Sequence, residues 1–244
     1  MPMRLFVLVF LFAVSWASDR PPGNARELLD KAVERHYAMR QYEVVVQTTT
    51  VSSDRLSPSL RERIAVDEDM RAFHYQNLTD SKHQALSDGD MLWESRSRGV
   101  TEGLAEGPAL RMWRQAIERS SARFALLGRS ALDAEWVKWE TVKRGRGRIE
   151  CGVVRIRPQD PSSGNWTEML WISPETGLIW RSVFVERSSP PSMSMGVPAG
   201  PVSRNPPMSL DVVRTREYDW VHTEGDLPSD RFARPPWAAK AKPR

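Results

Sequence analysis

The sequence predicts a mainly β protein of the α+β class, in which one long antiparallel sheet curls around two helices. Two segments place apolar residues at helical spacing, and eight or more others have the alternation or β-branched content of strands. Their order is helix, strands, helix, strands, which differs from the strand–helix–strand repeats of a parallel sheet. A sheet with so many strands twists too strongly to stay flat.

The amino-terminal residues have the layout of a secretory signal peptide, predicted over residues 1–17. A basic start, Met1–Arg4, precedes the apolar run Leu5–Val14, and the small residues Ser15 and Ala17 stand before the expected cleavage point. The alternative is an uncleaved anchor, but a span needs about twenty apolar residues. We therefore expect a periplasmic protein without stable membrane insertion, whose residues 18–244 form a single domain.

The first predicted helix begins near Asn24, a suitable N-cap. Its apolar face carries Leu28, Leu29, Ala32, Val33 and His36. From Tyr42 the pattern changes to β. Strands are predicted over Tyr42–Val51, Arg63–Val66, Arg71–Tyr75 and Met91–Trp93, with Asp88-Gly89 as a turn.

The second predicted helix has Pro108 in its first turn and Gly128 just past its end. Its apolar face carries Leu110, Trp113, Ile117, Phe124 and Leu127. Further strands are predicted over 136–142, 149–157, 166–172, 178–186 and 209–220. A Pro/Ser/Met-rich flexible loop is predicted at 188–207, inside the domain, and an extended proline-rich tail after Asp226.

The sequence contains no motif for catalysis. It lacks a nucleophile elbow, its four histidines have no metal-ligand spacing, and its glycines form no dinucleotide fingerprint. The single cysteine, Cys151, lies in an alternating segment and is predicted to be a buried strand residue. We therefore expect no enzyme, no metal and no cofactor. A carboxylate pair that only the fold brings together stays open.

The charge pattern also argues against nucleic-acid binding. The formal net charge is +4, from 35 basic and 31 acidic residues. The only basic run is 143–148, and its two glycines favour a solvated hairpin turn over a nucleic-acid surface.

Four segments resemble the LolA/LolB-like family of periplasmic carriers that sort outer-membrane lipoproteins. The first helix leads directly into the strand Tyr42–Gln47. The other three segments are Ser87–Trp93 (SDGDMLW), Leu170–Ile179 (LWISPETGLI) and Leu227–Pro236 (LPSDRFARPP). The resemblance implies an incomplete antiparallel β-barrel curled around lid helices, with an apolar cavity that receives acyl chains.

Within that family the second helix and several tryptophans are the expected acyl-chain or lid-lining residues, namely Leu110, Trp113, Ile117, Phe124, Trp136, Trp171 and Trp180. The tryptophans are equally compatible with a filled core, because their strands are apolar on both faces. Arg71 matches the arginine that latches the lid, although the following proline is absent.

The resemblance implies a monomeric, non-catalytic binding protein for lipid or lipoprotein acyl chains, taking part in lipoprotein sorting or transport. The alternative is an envelope sensor similar to RseB-like regulators, with a protein partner in the envelope. The loop 188–207, with Met193 and Met195, favours that alternative.

Overall fold

The computed structural model describes residues 23–52, 55–97, 99–126, 132–145, 147–160, 165–186, 212–223, 225 and 227–243. The predicted signal peptide at 1–17 and the loop at 188–207 lie outside the described residues. The described residues contain two α-helices, α1 (Ala25–Ala38) and α2 (Gly107–Ser120). No helix in the described ranges is both long and apolar enough to span a membrane.

The described strands are thirteen in number and form one sheet. They are β1 (Gln41–Ser52), β2 (Arg55–Leu56), β3 (Leu60–Asp67), β4 (Ala72–Asn77), β5 (Gln84–Ser87), β6 (Met91–Arg96), β7 (Gly99–Leu104), β8 (Leu132–Arg144), β9 (Gly147–Pro158), β10 (Trp166–Ile172), β11 (Ile179–Glu186), β12 (Val212–His222) and β13 (Lys242–Pro243).

The strand order is β13-β7-β6-β5-β4-β3-β1-β12-β11-β10-β9-β8, with β2 beside β1. Every pairing is antiparallel except β13 with β7. The sheet does not close, because β13 and β8 stand at opposite ends of the order. The predicted fold class, an open antiparallel sheet curled around helices, is confirmed.

Alternate strand residues separate the two faces of the sheet. The inner face carries both helices, and its core includes Val44 and Val46 of β1, Phe73 of β4 and Leu170 of β10. The outer face carries smaller clusters, one of which includes Cys151. The prediction that Cys151 is a buried strand residue is confirmed.

Helix α1 forms as its sequence pattern predicts. The side chain of Asn24 accepts hydrogen bonds from the main-chain N–H groups of Arg26 (3.0 Å) and Glu27 (3.2 Å). The predicted apolar face is buried against β8, β9 and β10. His36 is buried with that face, and its Nε2 accepts a hydrogen bond from the main-chain N–H of Ile179 (3.2 Å). This bond fixes the end of α1 to β11.

Helix α2 ends at Ser120, earlier than its sequence predicts, and a 3₁₀ helix follows over Ala122–Leu126. The predicted end signal, Gly128, lies outside the described residues. The predicted hairpin in the basic run at 143–148 is present, because Lys143 at the end of β8 pairs with Arg148 at the start of β9.

The tail after Asp226 is more structured than the predicted extended segment. It contains two 3₁₀ helices, Ser229–Phe232 and Pro236–Lys240, followed by β13. Phe232 and Ala238 are buried on the outer face. Proline-rich sequence predicts extended backbone, but these apolar side chains dock the tail on the sheet.

Candidate functional site

The candidate site is built around α2, which lies on the inner face of the sheet. Three predicted lining residues, Leu110, Trp113 and Ile117, are buried together in the main core. The indole N–H of Trp113 donates a hydrogen bond to the carboxylate of Glu94 on β6. The Trp113 ring also lies 5.1 Å from the ring of Tyr75, between centroids. These contacts fix the middle of α2 and leave open space at each end.

The larger space, here called the β7 groove, lies between the first half of α2 and the strands β6 and β7. Its volume is about 890 Å³. Its lining residues are Glu94, Arg96, Gly99, Thr101, Gly103, Leu104, Glu106, Gly107, Pro108, Ala109 and Met112. The groove exists because the inner-facing residues of β7 are Gly99, Thr101 and Gly103, which have small side chains or none.

Two large apolar side chains that line the β7 groove are exposed, one on β7 and one on α2. Leu104 is 63% exposed and Met112 is 40% exposed. Arg96 stands at the polar side, where its guanidinium donates to Glu94 (3.0 Å) and contacts the sulfur of Met112 (3.3 Å). The groove is therefore mostly apolar, with one charged edge.

The smaller space, here called the α2-end cavity, has a volume of about 390 Å³. It lies between the end of α1, the β3–β4 turn and the last turn of α2. Its lining residues are Tyr37, Tyr42, Val66, Asp67, Glu68, Arg71, Ala72, Phe73, Arg114, Ile117, Glu118, Ser121 and Arg123. Both spaces have volumes typical of small-ligand sites.

Arg123 closes one wall of the α2-end cavity by joining three elements. Its Nε donates to the main-chain carbonyl of His36 (2.7 Å), and Nη2 donates to that of Met39. Its Nη1 forms an ion pair with Glu68 in the β3–β4 turn. The 3₁₀ helix after α2 is therefore bound to the end of α1 through a charged group. Sequence reasoning missed this residue, because nothing in its local pattern distinguishes it from other arginines.

Arg71, the predicted latch, lies in the β3–β4 turn and lines the same cavity. Its backbone has φ = 55°, which is unusual for a residue with a side chain. The hydrogen bonds from a guanidinium to main-chain carbonyls at this cavity are made by Arg123. The role of Arg71 as a latch stays a prediction.

The predicted tryptophans are not brought together. Trp136 packs on the inner core, with its ring 4.8 Å from that of Trp139. Trp171 is buried on the outer face, under the guanidinium of Arg181 (5.4 Å). Trp180 contacts both the inner core and this outer cluster. None of these three lines either of the two spaces. The side chain of Phe124 lies outside the described residues.

A polar patch on the inner face was not predicted either. Glu168 on β10 is buried, and burial raises the pKa of its carboxyl group. Ser182 and Arg216, on the next two strands, are buried beside it. Strand alternation would have found this patch only if the sheet order were already known.

No protein-family model matches the chain, and no curated protein matches it. Among solved structures, a LolA superfamily protein from Nitrosomonas europaea has 14% identity and a TM-score of 0.35, over 87% of this chain and 98% of its own. LprF from Mycobacterium bovis has 11% identity and a TM-score of 0.41, over 84% and 99%.

MucB has 15% identity and a TM-score of 0.44 over 88% of this chain. The match spans 65% of the MucB chain. Another of the solved structures is a complex of MucA with MucB from Pseudomonas aeruginosa, at 14% identity and a TM-score of 0.42.

Proposed function

We propose that this chain is a non-catalytic binding protein of the periplasm that receives lipid or lipoprotein acyl chains. The observation that carries the proposal is the β7 groove, which offers about 890 Å³ beside exposed apolar side chains. Each methylene moved from water into such a groove contributes about 0.8 kcal/mol, so an acyl chain can bind without any covalent step. The proposal includes a role in lipoprotein sorting or transport, which such binding would serve.

In this proposal α2 is the movable wall of the site. Leu110 and Trp113 hold it on the inner core, and the Arg123 contacts hold the segment after it. Binding of a long chain requires the first half of α2 to move away from β7, while the Arg123 contacts keep its end in place. The predicted residues Leu110 and Trp113 then line the widened groove, while Ile117 stays at the α2-end cavity.

The test is acyl binding by variants of the groove wall. Because Met112 is 40% exposed, Met112→Glu places a charge in the groove without burying it in the core. We expect this variant to bind a fluorescent palmitate analogue at least tenfold more weakly than the unaltered mature protein. Leu110 is unsuitable for this test, because it is buried and a charge there would unfold the protein.

The matched control is Gln115→Glu, which adds the same charge to an exposed position of α2 outside both spaces. Its affinity should equal that of the unaltered protein. Equal palmitate affinity for Met112→Glu and Gln115→Glu would remove the groove from the proposal. No palmitate binding by the unaltered protein would reject the proposed function.

A second candidate function is partner binding at the sheet edge. Strand β8 is thirteen residues long and has one neighbour, β9, among the described strands. Its other edge presents main-chain groups to which a partner strand could pair. Capture of an envelope protein that is lost in a Val137→Pro variant would support this function.

A further inference from the structure

Met112 brings an oxidisable sulfur into the β7 groove. Of the methionines in the described ranges, Met112 and Met70 are exposed, by 40% and 58%, and Met39 is buried. Met112 lines the groove, whereas Met70 lies in the β3–β4 turn and lines neither space. A thioether that solvent reaches is open to two-electron oxidants such as hydrogen peroxide. Of the two exposed methionines, Met112 is therefore the one at which oxidation changes the groove itself.

Arg96 holds a guanidinium against this sulfur. Its Nη2 lies 3.3 Å from the sulfur of Met112 and 3.0 Å from a carboxylate oxygen of Glu94. The guanidinium also lies over the ring of Trp113, 5.3 Å from its centroid. These three contacts keep a strong donor in place beside a thioether, which is only a weak acceptor. The donor is therefore positioned for a better acceptor on the same sulfur.

Oxidation supplies that acceptor. A lone pair of the Met112 sulfur attacks one oxygen of hydrogen peroxide, the O–O bond breaks, and an S–O bond forms. The sulfur loses two electrons, and the proton of the transferred oxygen moves to the leaving hydroxide, which becomes water. The sulfoxide oxygen carries partial negative charge. A hydrogen bond from the Arg96 guanidinium to this oxygen is charge-assisted, and it is therefore stronger than the contact with the thioether.

We infer that Met112 is a redox-sensitive modification site of the β7 groove, at which the sulfoxide, bonded to Arg96, lowers the affinity for acyl chains. This inference rests on the proposed function of the groove. Two effects act in the same direction. The polar S–O group replaces apolar surface on the wall. Its bond to Arg96 also links the first half of α2 to β6, and a long chain must displace this half of the helix.

The test compares the mature protein before and after treatment with hydrogen peroxide. Peptide mass spectrometry should show a sulfoxide at Met112, while Met39 stays mostly unmodified. The oxidised protein should bind the fluorescent palmitate analogue about tenfold more weakly than the untreated protein. Methionine sulfoxide reductases should restore the original affinity. No sulfoxide at Met112, or unchanged affinity once Met112 is fully oxidised, would overturn the inference and leave the proposed function standing.

Met112→Leu isolates the effect, because leucine keeps an apolar side chain without sulfur. Its palmitate affinity should be close to that of the unaltered protein and should not change on oxidation. Met70→Leu is the matched control, since it removes the other exposed methionine from a position outside both spaces. It should lose affinity on oxidation as the unaltered protein does. Equal losses in oxidised Met112→Leu and in the oxidised unaltered protein would place the effect at another methionine and overturn the inference.

Hydrogen–deuterium exchange provides a readout that does not depend on palmitate. In the oxidised protein, exchange should slow at residues 108–114 of α2, because the bond from Arg96 holds this half of the helix. Arg96→Leu should remove the slowing, while Met112 is still converted to the sulfoxide. Unchanged or faster exchange in the oxidised protein would reject the bond. If the untreated protein binds no palmitate, the proposed function fails, whereas exchange still decides whether the sulfoxide links α2 to β6.

Discussion

The guanidinium of Arg123 lies 2.7 Å from the main-chain carbonyl oxygen of His36 and donates a hydrogen bond to it. These residues are 87 positions apart in the chain. The bond therefore joins the last turn of α1 to the segment that follows α2. It therefore links the two helices to each other, although they contact different strands.

Replacing Arg123 should weaken the link between α1 and the segment after α2. Arg123→Gln cannot reproduce the three contacts, and hydrogen bonds from a charged group contribute about 2 kcal/mol, so the free energy of unfolding should fall by about that amount. Hydrogen–deuterium exchange should rise at residues 36–40 and 117–126. Arg119→Gln, an exposed change at the end of α2, is the control. Equal exchange in both variants would show that Arg123 does not join the helices.

The stability of the protein should fall as the pH is lowered below about 6.5. Burial, with the nearby charges of Arg123 and Arg35, lowers the pKa of His36 from 6.5 to about 3. Between those values the unfolded chain binds a proton that the folded protein excludes. The contribution to stability is thus complete above pH 6.5 and declines toward pH 3, by up to about 1.4 kcal/mol per pH unit.

His36→Gln keeps an acceptor for the Ile179 N–H but does not titrate. In urea unfolding at pH values from 7 to 4, the free energy of unfolding of this variant should change less with pH than that of the unaltered protein. Some dependence should remain, since burial also lowers the pKa of His74 to about 4. Identical pH slopes for the variant and the unaltered protein would show that His36 is accessible to protons.

Cys151 should be chemically inert in the folded protein. It is fully buried, and burial raises the pKa of its thiol to about 12, so the thiolate that reacts with electrophiles is nearly absent at pH 8. Iodoacetamide labelling followed by mass spectrometry should detect modification only in denaturant. Labelling of the folded protein within minutes would contradict the burial of the β9 side chain.

Gly89 and Gly99 have positive φ in neighbouring hairpins, but they should differ in how well they tolerate replacement by alanine. A Cβ on Gly89 (φ 105°) would lie 2.3 Å from the carbonyl oxygen of Met70, whereas one on Gly99 (φ 118°) would meet no atom within 4 Å. Gly89→Ala should therefore cost at least about 1 kcal/mol more unfolding free energy than Gly99→Ala. If both variants lose the same free energy of unfolding in urea, the β3–β4 turn moves away from the new Cβ without strain.

Local patterns predicted the elements whose signals lie within the element itself. The cap at Asn24, the alternation in β9 and the turn at Gly89 are of this kind, and each is present. Strands β5 and β7 were not predicted. Strand β5 is short and buried on both faces, and β7 contains two glycines. Short strands form only because neighbours pair with them.

The site was less predictable than the fold. Leu110, Trp113 and Ile117 share a helix face that periodicity reveals, and they pack together. The face to which Trp171 points could not be read from its strand, because Leu170 and Trp171 are both large and apolar. Arg123 acts through carbonyl groups 84 and 87 residues away, which no local pattern records.

The pairing of β1 with β12 has a kinetic consequence. Ten residue pairs, from Glu43 with His222 to Ser52 with Val212, form the middle of the sheet. The two halves of the sheet can therefore join only after nearly the whole chain is available, and such distant contacts form slowly. Until then the apolar strands of each half are open to association with other chains. Refolding yield, more than the stability of the finished protein, should therefore fall as protein concentration rises.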